Sequence, residues 1–334
     1  MAILEGRDSF IGFREITGTA QSPNTVPAEF IFIDSYDFKR EKEEQIQEQE
    51  LGLGVRTPRR RVTGNINCTG TFTRNLDPNN GIALYEYLMT GSVTSTNVAA
   101  GDTVLKQHYF FEGERLTSIT TLQFTTYAGG DSATALDWFN GIVESYSLNA
   151  TVNSPVKETW NLKFADHGST AANTLPTVAL TQTDPINFNK AFVRFGATIT
   201  TVSQAAVQEI TLNVNNQPTE NREIGTNTLN QHLYGIKQID GSMNMTFQDL
   251  SHYNNFINET AVAMSLLLES VDSTSGTSHS VEHQMPRVFF NGETPSVNDQ
   301  GEIVLPINFS AIYGSNAGYM HRIIVNNQDA TPTK

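Results

Sequence analysis

The sequence predicts a mainly β protein made of two copies of one domain, and three observations carry that prediction. Thr, Asn, Ser and Gly are abundant while only 17% of residues are charged, against about 25% in typical globular chains; such a composition suits sheets and loops rather than helical bundles. Several short runs alternate apolar and polar residues, the period of a half-buried strand. The chain also repeats itself in one consistent order, a feature that takes precedence over local assignments.

Length supports the count of two. A chain of 334 residues exceeds most single cores, and domains run to about 100–200 residues. A half of roughly 150 residues buries about two thirds of its unfolded surface, enough for a core without staples. Cys68 is the only cysteine, so no disulfide forms within the chain. The first ten residues lack an apolar run behind a basic start, and no stretch approaches about 18 consecutive apolar residues. A soluble protein made in a reducing cytoplasm, with no membrane contact, is expected.

The formal charge of −14 is shared evenly: residues 1–180 hold 21 acidic and 14 basic side chains, and residues 181–334 hold 14 and 7. Nucleic-acid binders concentrate Lys and Arg on one surface, so this balance argues against a phosphate-binding face.

The repetition begins with Phe10-Ile11-Gly12-Phe13, whose Phe spacing returns in Phe192-Val193-Arg194-Phe195. At the same offset Ala28, Phe30 and Phe32 fall on Ile210, Leu212 and Val214. Further on, Thr63-Gly64-Asn65-Ile66-Asn67-Cys68 resembles Asp240-Gly241-Ser242-Met243-Asn244-Met245, with Ile66, Cys68 and Phe72 alternating as Met243, Met245 and Phe247 do. Both runs lead through a turn into a helical pattern: Ile82, Tyr85, Leu88 and Met89, against Phe256, Val262, Leu266 and Leu267. Asp77 with Pro78, and Ser251, are the expected helix starts. Phe139-Asn140-Gly141 and Phe290-Asn291-Gly292 read as tight hairpin turns, and Trp160, Leu162 and Phe164 match Leu305, Ile307 and Phe309 as closing strands.

The expected division is 1–180 and 181–334. The first copy is longer through an insertion around 92–137, holding strand-like runs at 109–111 and 122–127, and a Thr-, Ala- and Pro-rich linker spans about 165–189.

One segment stands apart. Lys39, Arg40, Glu41, Lys42, Glu43 and Glu44 precede a Gln/Glu run, and Arg56, Arg59, Arg60 and Arg61 follow. A solvated charged loop is the plain reading. Its counterpart, around 215–233, is less charged and carries Glu220, Arg222 and Glu223. His279-x-x-x-His283 has a metal-like spacing, but Gly276, Thr277 and Ser278 precede it and no third ligand is evident. Gly52-x-Gly54 lacks the rest of a dinucleotide fingerprint, and no nucleophile elbow or phosphate loop occurs. Cys68 lies on the apolar side of its strand, a core position. No catalytic activity, cofactor or metal is expected.

The Arg61-Val62-Thr63-Gly64-Asn65-Ile66 strand leading to the helix at 82–89, its echo over 240–268 and the two closing Asn-Gly segments together resemble the tail tube, or major tail, proteins of long-tailed bacteriophages, over nearly the whole chain. The resemblance implies a small β-sandwich or barrel with a flanking helix in each copy, and a long loop between early strands that reaches an adjacent ring; the charged residues of 39–61 and Glu220, Arg222 and Glu223 are its candidates. It further implies rings of six domains, supplied by three chains with pseudo-sixfold symmetry, stacked into a conduit for DNA ejection. Tail tip, tape measure and tail terminator proteins are the implied partners, and DNA passes without specific binding through a lumen expected to be acidic. The rival reading is a carbohydrate- or receptor-binding β-sandwich. It requires exposed aromatics and, for hydrolysis, facing carboxylates, whereas Trp138 and Trp160 sit in strand patterns.

Overall fold

A computed structural model describes residues 9–17, 27–47, 60–98, 105–113, 120–127, 135–169, 186–229, 231–247, 250–271, 278–292 and 303–328. The chain is mainly β. In its first half, β1 (Phe10–Thr17) pairs antiparallel with β2 (Glu29–Ile31) on one side and β7 (Thr120–Tyr127) on the other. Strand β7 continues to the first part of β8 (Ala135–Thr151), whose other side takes β10 (Asp166–Ser169). A second sheet runs β3 (Ser35–Gln47), β4 (Arg60–Asn75), β9 (Lys157–Phe164) and the latter part of β8. Strand β8 therefore belongs to both sheets and forms the corner of a sandwich.

The alternation of apolar residues supplies the filling, because successive side chains of a strand point to opposite faces. Ile66, Cys68 and Phe72 of β4 and Trp160, Leu162 and Phe164 of β9 turn inward against Ile11 and Phe13 of β1 and Leu122 and Phe124 of β7, all of them buried. Ring centroids lie 5.7 Å apart for Phe13–Phe124 and 6.2 Å for Phe72–Phe124. Each such side chain fully buried is worth about 1.5–3 kcal/mol. Burial pushes the Cys68 thiol up to about 11, so it is an inert core residue.

Helix α1 (Leu84–Met89) packs against β8 and against residues 90–97 and 106–112, with Leu84, Tyr85, Tyr87, Leu88 and Met89 all buried. A helix this short has no stability of its own in water; its buried contacts hold it. The turn before it is set by Arg74, 1% exposed, whose Nη1 donates to the Asn80 carbonyl at 2.7 Å. Gly81 follows at φ 72, and a Cβ there would strike the Arg74 guanidinium.

The second half shows the same kinds of pairing. Strand β11 (Ala191–Gly196) lies between β12 (Ser203–Gln204) and β17 (Val262–Val271), and β17 continues to β18 (Ser278–Gly292). Its other sheet runs β13 (Val207–Asn215), β16 (Gln238–Thr246), β19 (Val304–Ala311) and the end of β18. Strand β20 (Arg322–Asn327) pairs with the first part of β18, as β10 does with β8. A hairpin from the first half, β5 (Thr90–Asn97) and β6 (Lys106–Glu112), extends this sheet, with β6 along the outer side of β20 from Arg322↔Phe111 to Asn327↔Lys106. Helix α2 (Ser251–Ile257) follows β16.

Several expectations need correction. The helical pattern drawn through Val262, Leu266 and Leu267 is strand: α2 ends at Ile257, Glu259 takes φ 49, and Val262, Met264, Leu266 and Leu268 then alternate into the core. Asn140-Gly141 makes no hairpin. Asn140 adopts φ 51 inside the continuous β8, where the strand passes from one sheet to the other; Asn tolerates this left-handed conformation. Asn291-Gly292 likewise lies at the end of β18. Asp77 does not start α1: it accepts from the Asn79 N–H at 2.9 Å in the preceding turn, and the N-caps of the two helices are Ala83 and Leu250. Strand β7 pairs with β1 and β8, as β17 does with β11 and β18. Most notably, the charged segment is largely not a loop. Lys39, Arg40, Glu41, Lys42, Glu43 and Glu44 lie on β3, and Arg60 and Arg61 on β4, paired from Ser35↔Thr73 to Gln47↔Arg60. Arg56, Arg59 and the Gly52-x-Gly54 run fall outside the described residues.

Candidate assembly surface

The two halves share a sheet. Strand β8 of the first half pairs with β13 of the second from Ser145↔Asn215 to Thr151↔Glu209, so one continuous antiparallel sheet runs β3, β4, β9, β8, β13, β16, β19. One face of it is core. The other carries the polar members of each alternation: Thr69, Thr71 and Thr73; Thr159 and Asn161; Ser145, Ser147, Asn149 and Thr151; Thr211 and Asn213; Ser242, Asn244 and Asn308. Side-chain hydrogen bonds stitch it across strand boundaries. Thr71 donates to Asn161 at 2.8 Å and Asn161 to Ser145 at 2.9 Å; Ser147 donates to Asn213 at 2.8 Å and Asn213 to Asp240 at 3.2 Å. Asn149 donates to Thr211 across the junction at 3.1 Å.

Asn216 locks the junction from behind. It is 2% exposed, its N–H donates to the Glu144 carbonyl at 2.9 Å, and its Nδ2 donates to the carbonyls of Leu88 and Val143 at 3.2 and 3.1 Å. Lys237 adds a donor to the Leu88 carbonyl at 3.0 Å, and burial lowers its ammonium to about 8.

At the other end of the sheet, β3 pairs only with β4 among the described residues, leaving its outer edge open. Past Arg40↔Cys68 the two strands leave β9 behind and continue as a two-stranded arm. From Glu41 to Gln47, at about 3.3 Å per residue, it spans roughly 20 Å. Lys39, Arg40, Glu41, Lys42 and Glu43 are exposed. The root of the arm is held by the second half. Arg222 donates from Nη1 and Nη2 to the Ile66 carbonyl, both at 3.2 Å, and from Nη2 to Asn67 Oδ1 at 2.5 Å. Its Nη2 also lies 2.7 Å from Glu220, which sits on β14 (Thr219–Asn221) opposite β15 (Gln231–Leu233). The Ile66 N–H donates to the Asn227 carbonyl at 2.9 Å. The structure thus brings Glu220 and Arg222 to the first half of the same chain, while Glu223 is exposed. Sequence reasoning read the strand through Ile210, Leu212 and Val214 but missed Asn216 and the pairing of that strand with β8. The only available signal was the run of Ser, Asn and Thr at alternate positions.

Among the described residues no cluster of three potential metal ligands occurs, and no helix is long and apolar enough to cross a membrane. His279 and His283 lie on β18, and His283 Nδ1 stands 3.1 Å from Nε2 of His321. Trp138 and Trp160 are buried, 2% and 0% exposed, and offer no platform for a sugar ring.

No curated protein matches the chain. The family model described as "Phage tail tube protein" matches residues 6–311, which includes both sheets, the arm and the junction. The chain belongs to the phage tail tube protein family, the structural subunits of a virion's tail tube.

Proposed function

We propose that this chain forms the tail tube wall as a duplicated subunit, three chains closing a ring of six like domains with pseudo-sixfold symmetry, and that stacked rings make the conduit for DNA. The β8–β13 junction carries this reading. The chain already joins two sandwiches edge to edge, and what remains is an open edge on β3, which occupies in the first half the place of β13 in the second. An open edge invites a strand from another chain, and a head-to-tail contact that repeats with rotation closes a ring. The recurring pairings support one domain used twice, split near residue 180, each copy with its sandwich and short helix. The uncovered polar face then lines the lumen. Tail tip, tape measure and tail terminator proteins are the expected neighbours of the tube, which assembles in the host cytoplasm.

The stoichiometry tests the reading. Native mass spectrometry and electron microscopy of the purified protein should give rings of three chains with six lobes; six chains per ring, or particles that never close, would overturn it.

The arm is the element placed to reach an adjoining ring, because it runs past the end of the sheet and carries charge in place of apolar side chains. Exposed ion pairs are each worth at most about 1 kcal/mol, so several must act together. Replacing Arg59, Arg60 and Arg61 with Ser should leave folded rings that do not grow into tubes. Tubes of normal length from that variant would exclude the arm from ring stacking.

A further inference from the structure

Among the described residues, the polar face of the joint sheet carries three lysines, each held by a carboxylate of the same chain, and one arginine at its β18 end, Arg287, which lies over the Phe289 ring. Lys39 Nζ lies 2.6 Å from Asp37, Lys157 Nζ 2.9 Å from Asp34, and Lys163 Nζ 2.9 Å from Glu144. The pairs differ in local geometry: neighbours on β3, a contact between the foot of β3 and β9, and a contact from β9 to β8. Stability does not account for them. The Lys39–Asp37 side chains are 57% and 59% exposed and those of Lys157–Asp34 49% and 36%, and exposed pairs contribute about 0–1 kcal/mol. Of the remaining carboxylates of this face, Glu41 adds its charge to that of Asp37 beside Lys39, and Glu209 and Asp240 accept from Asn244 and Asn213.

We infer that Asp34, Asp37 and Glu144 cancel the three lysines of this face so that duplex DNA moving past it finds no ammonium free to bind. The inference rests on the tube reading above, which makes this face the lumen wall. The physics is short-ranged. At physiological salt the screening length is about 8 Å, longer than the separation within each pair, so an approaching phosphate meets a dipole and not a cation. A lysine freed of its partner would instead displace a counterion from the duplex, adding about 0.9 to the salt slope of binding. Three freed lysines on each of three chains would turn the wall into a brake. The six carboxylates against three lysines and Arg287 leave the described part of the face mildly acidic, with its middle occupied by hydroxyl and amide groups.

The experiment uses the full chain and a short fluorescent DNA duplex, followed by anisotropy across a salt series. Wild-type protein should show no binding at moderate salt. The Asp34→Asn, Asp37→Asn, Glu144→Gln variant should bind at least about tenfold more tightly, with a salt slope near −2 to −3. Adding Lys39→Gln, Lys157→Gln and Lys163→Gln should abolish that gain. Asp37→Asn alone, at the most exposed pair, keeps the question open to test should the triple variant misfold; it should give a slope near −1. No gain in any folded variant, or a gain that survives removal of the lysines, overturns the inference. Failure of the wild type to form tubes in the microscope would fell the tube reading separately, since the anisotropy is read on the free subunit.

Discussion

Replacing Arg74 with Met will cost the fold about 3–5 kcal/mol, the usual result of stranding one member of a buried ion pair. Arg74 and Glu158 are 1% and 0% exposed, with Nε donating to Oε2 at 2.7 Å. Burial opposes the charge on Arg74, but the adjacent Glu158 carboxylate, together with Tyr85 and Asp77, outweighs it and keeps the guanidinium protonated. Around the carboxylate, Tyr85 donates its hydroxyl, Tyr146 donates at 2.9 Å, and Trp160 Nε1 lies at 3.5 Å. The same arginine holds the turn leading to α1, so its loss also loosens the helix. Urea unfolding measures the cost, and the double variant Arg74→Met, Glu158→Gln should recover part of it, because the stranded charge is then gone. A single variant that loses less than about 1 kcal/mol would show that water or another donor replaces the guanidinium.

Acid will weaken the protein through two buried histidines. His283 and His321 are both fully buried and stacked at 5.3 Å, with Tyr146 stacked at 5.8 Å and Tyr85 edge-on at 6.2 Å from the His283 ring. Burial pushes the His283 imidazolium down to about 3, and burial with the neighbouring His283 and Lys237 pushes His321 well below its usual range. Unfolded, each takes up its proton near pH 6.5; folded, both stay neutral. Stability is therefore full above about pH 6.5 and falls as pH drops from there toward 3, by about 1.4 kcal/mol per pH unit for each histidine. Between pH 6.5 and 5 the pair should remove about 2 kcal/mol per histidine. Urea midpoints at pH 7.5 and 5 check the slope, and a His283→Phe, His321→Phe variant should lose much of the difference. Equal losses in both proteins would place the acid sensitivity elsewhere.

What could be read from the sequence follows the burial of one face. Ile66, Cys68 and Phe72, and Met243 and Met245, alternate because one side of each strand is core, and the structure buries those residues. Helix α1 was legible for the same reason, with Tyr85, Leu88 and Met89 on its buried surface. The arm was not: a two-stranded extension beyond the sandwich has no core face, so β3 past Arg40 shows charge where a strand would show period. Asn140-Gly141 misled because the dipeptide signals a local left-handed backbone, which serves a corner in a long strand as well as a hairpin. The second helical pattern failed where Val262 to Leu268 fit both periods and the turn at Glu259 decided between them. Least legible was the β8–β13 junction. It joins strands through backbone and through Ser, Asn and Thr side chains, residues that name no partner.

The first-half hairpin laid against β20 has a consequence for how the molecule is made. Strand β20 is flanked by β18 and by β6, and His108 of β6 lies 2.9 Å from Asn327, a partner 219 positions along the chain. Contacts so distant in sequence close late and slowly, because the intervening chain must be ordered first. Until residues 322–327 emerge during synthesis, the β5–β6 hairpin has no strand to lie against and the outer sheet of the second half stays incomplete. Completion of the fold thus waits on residues 322–327, which disfavours products lacking them from entering a growing polymer of identical subunits.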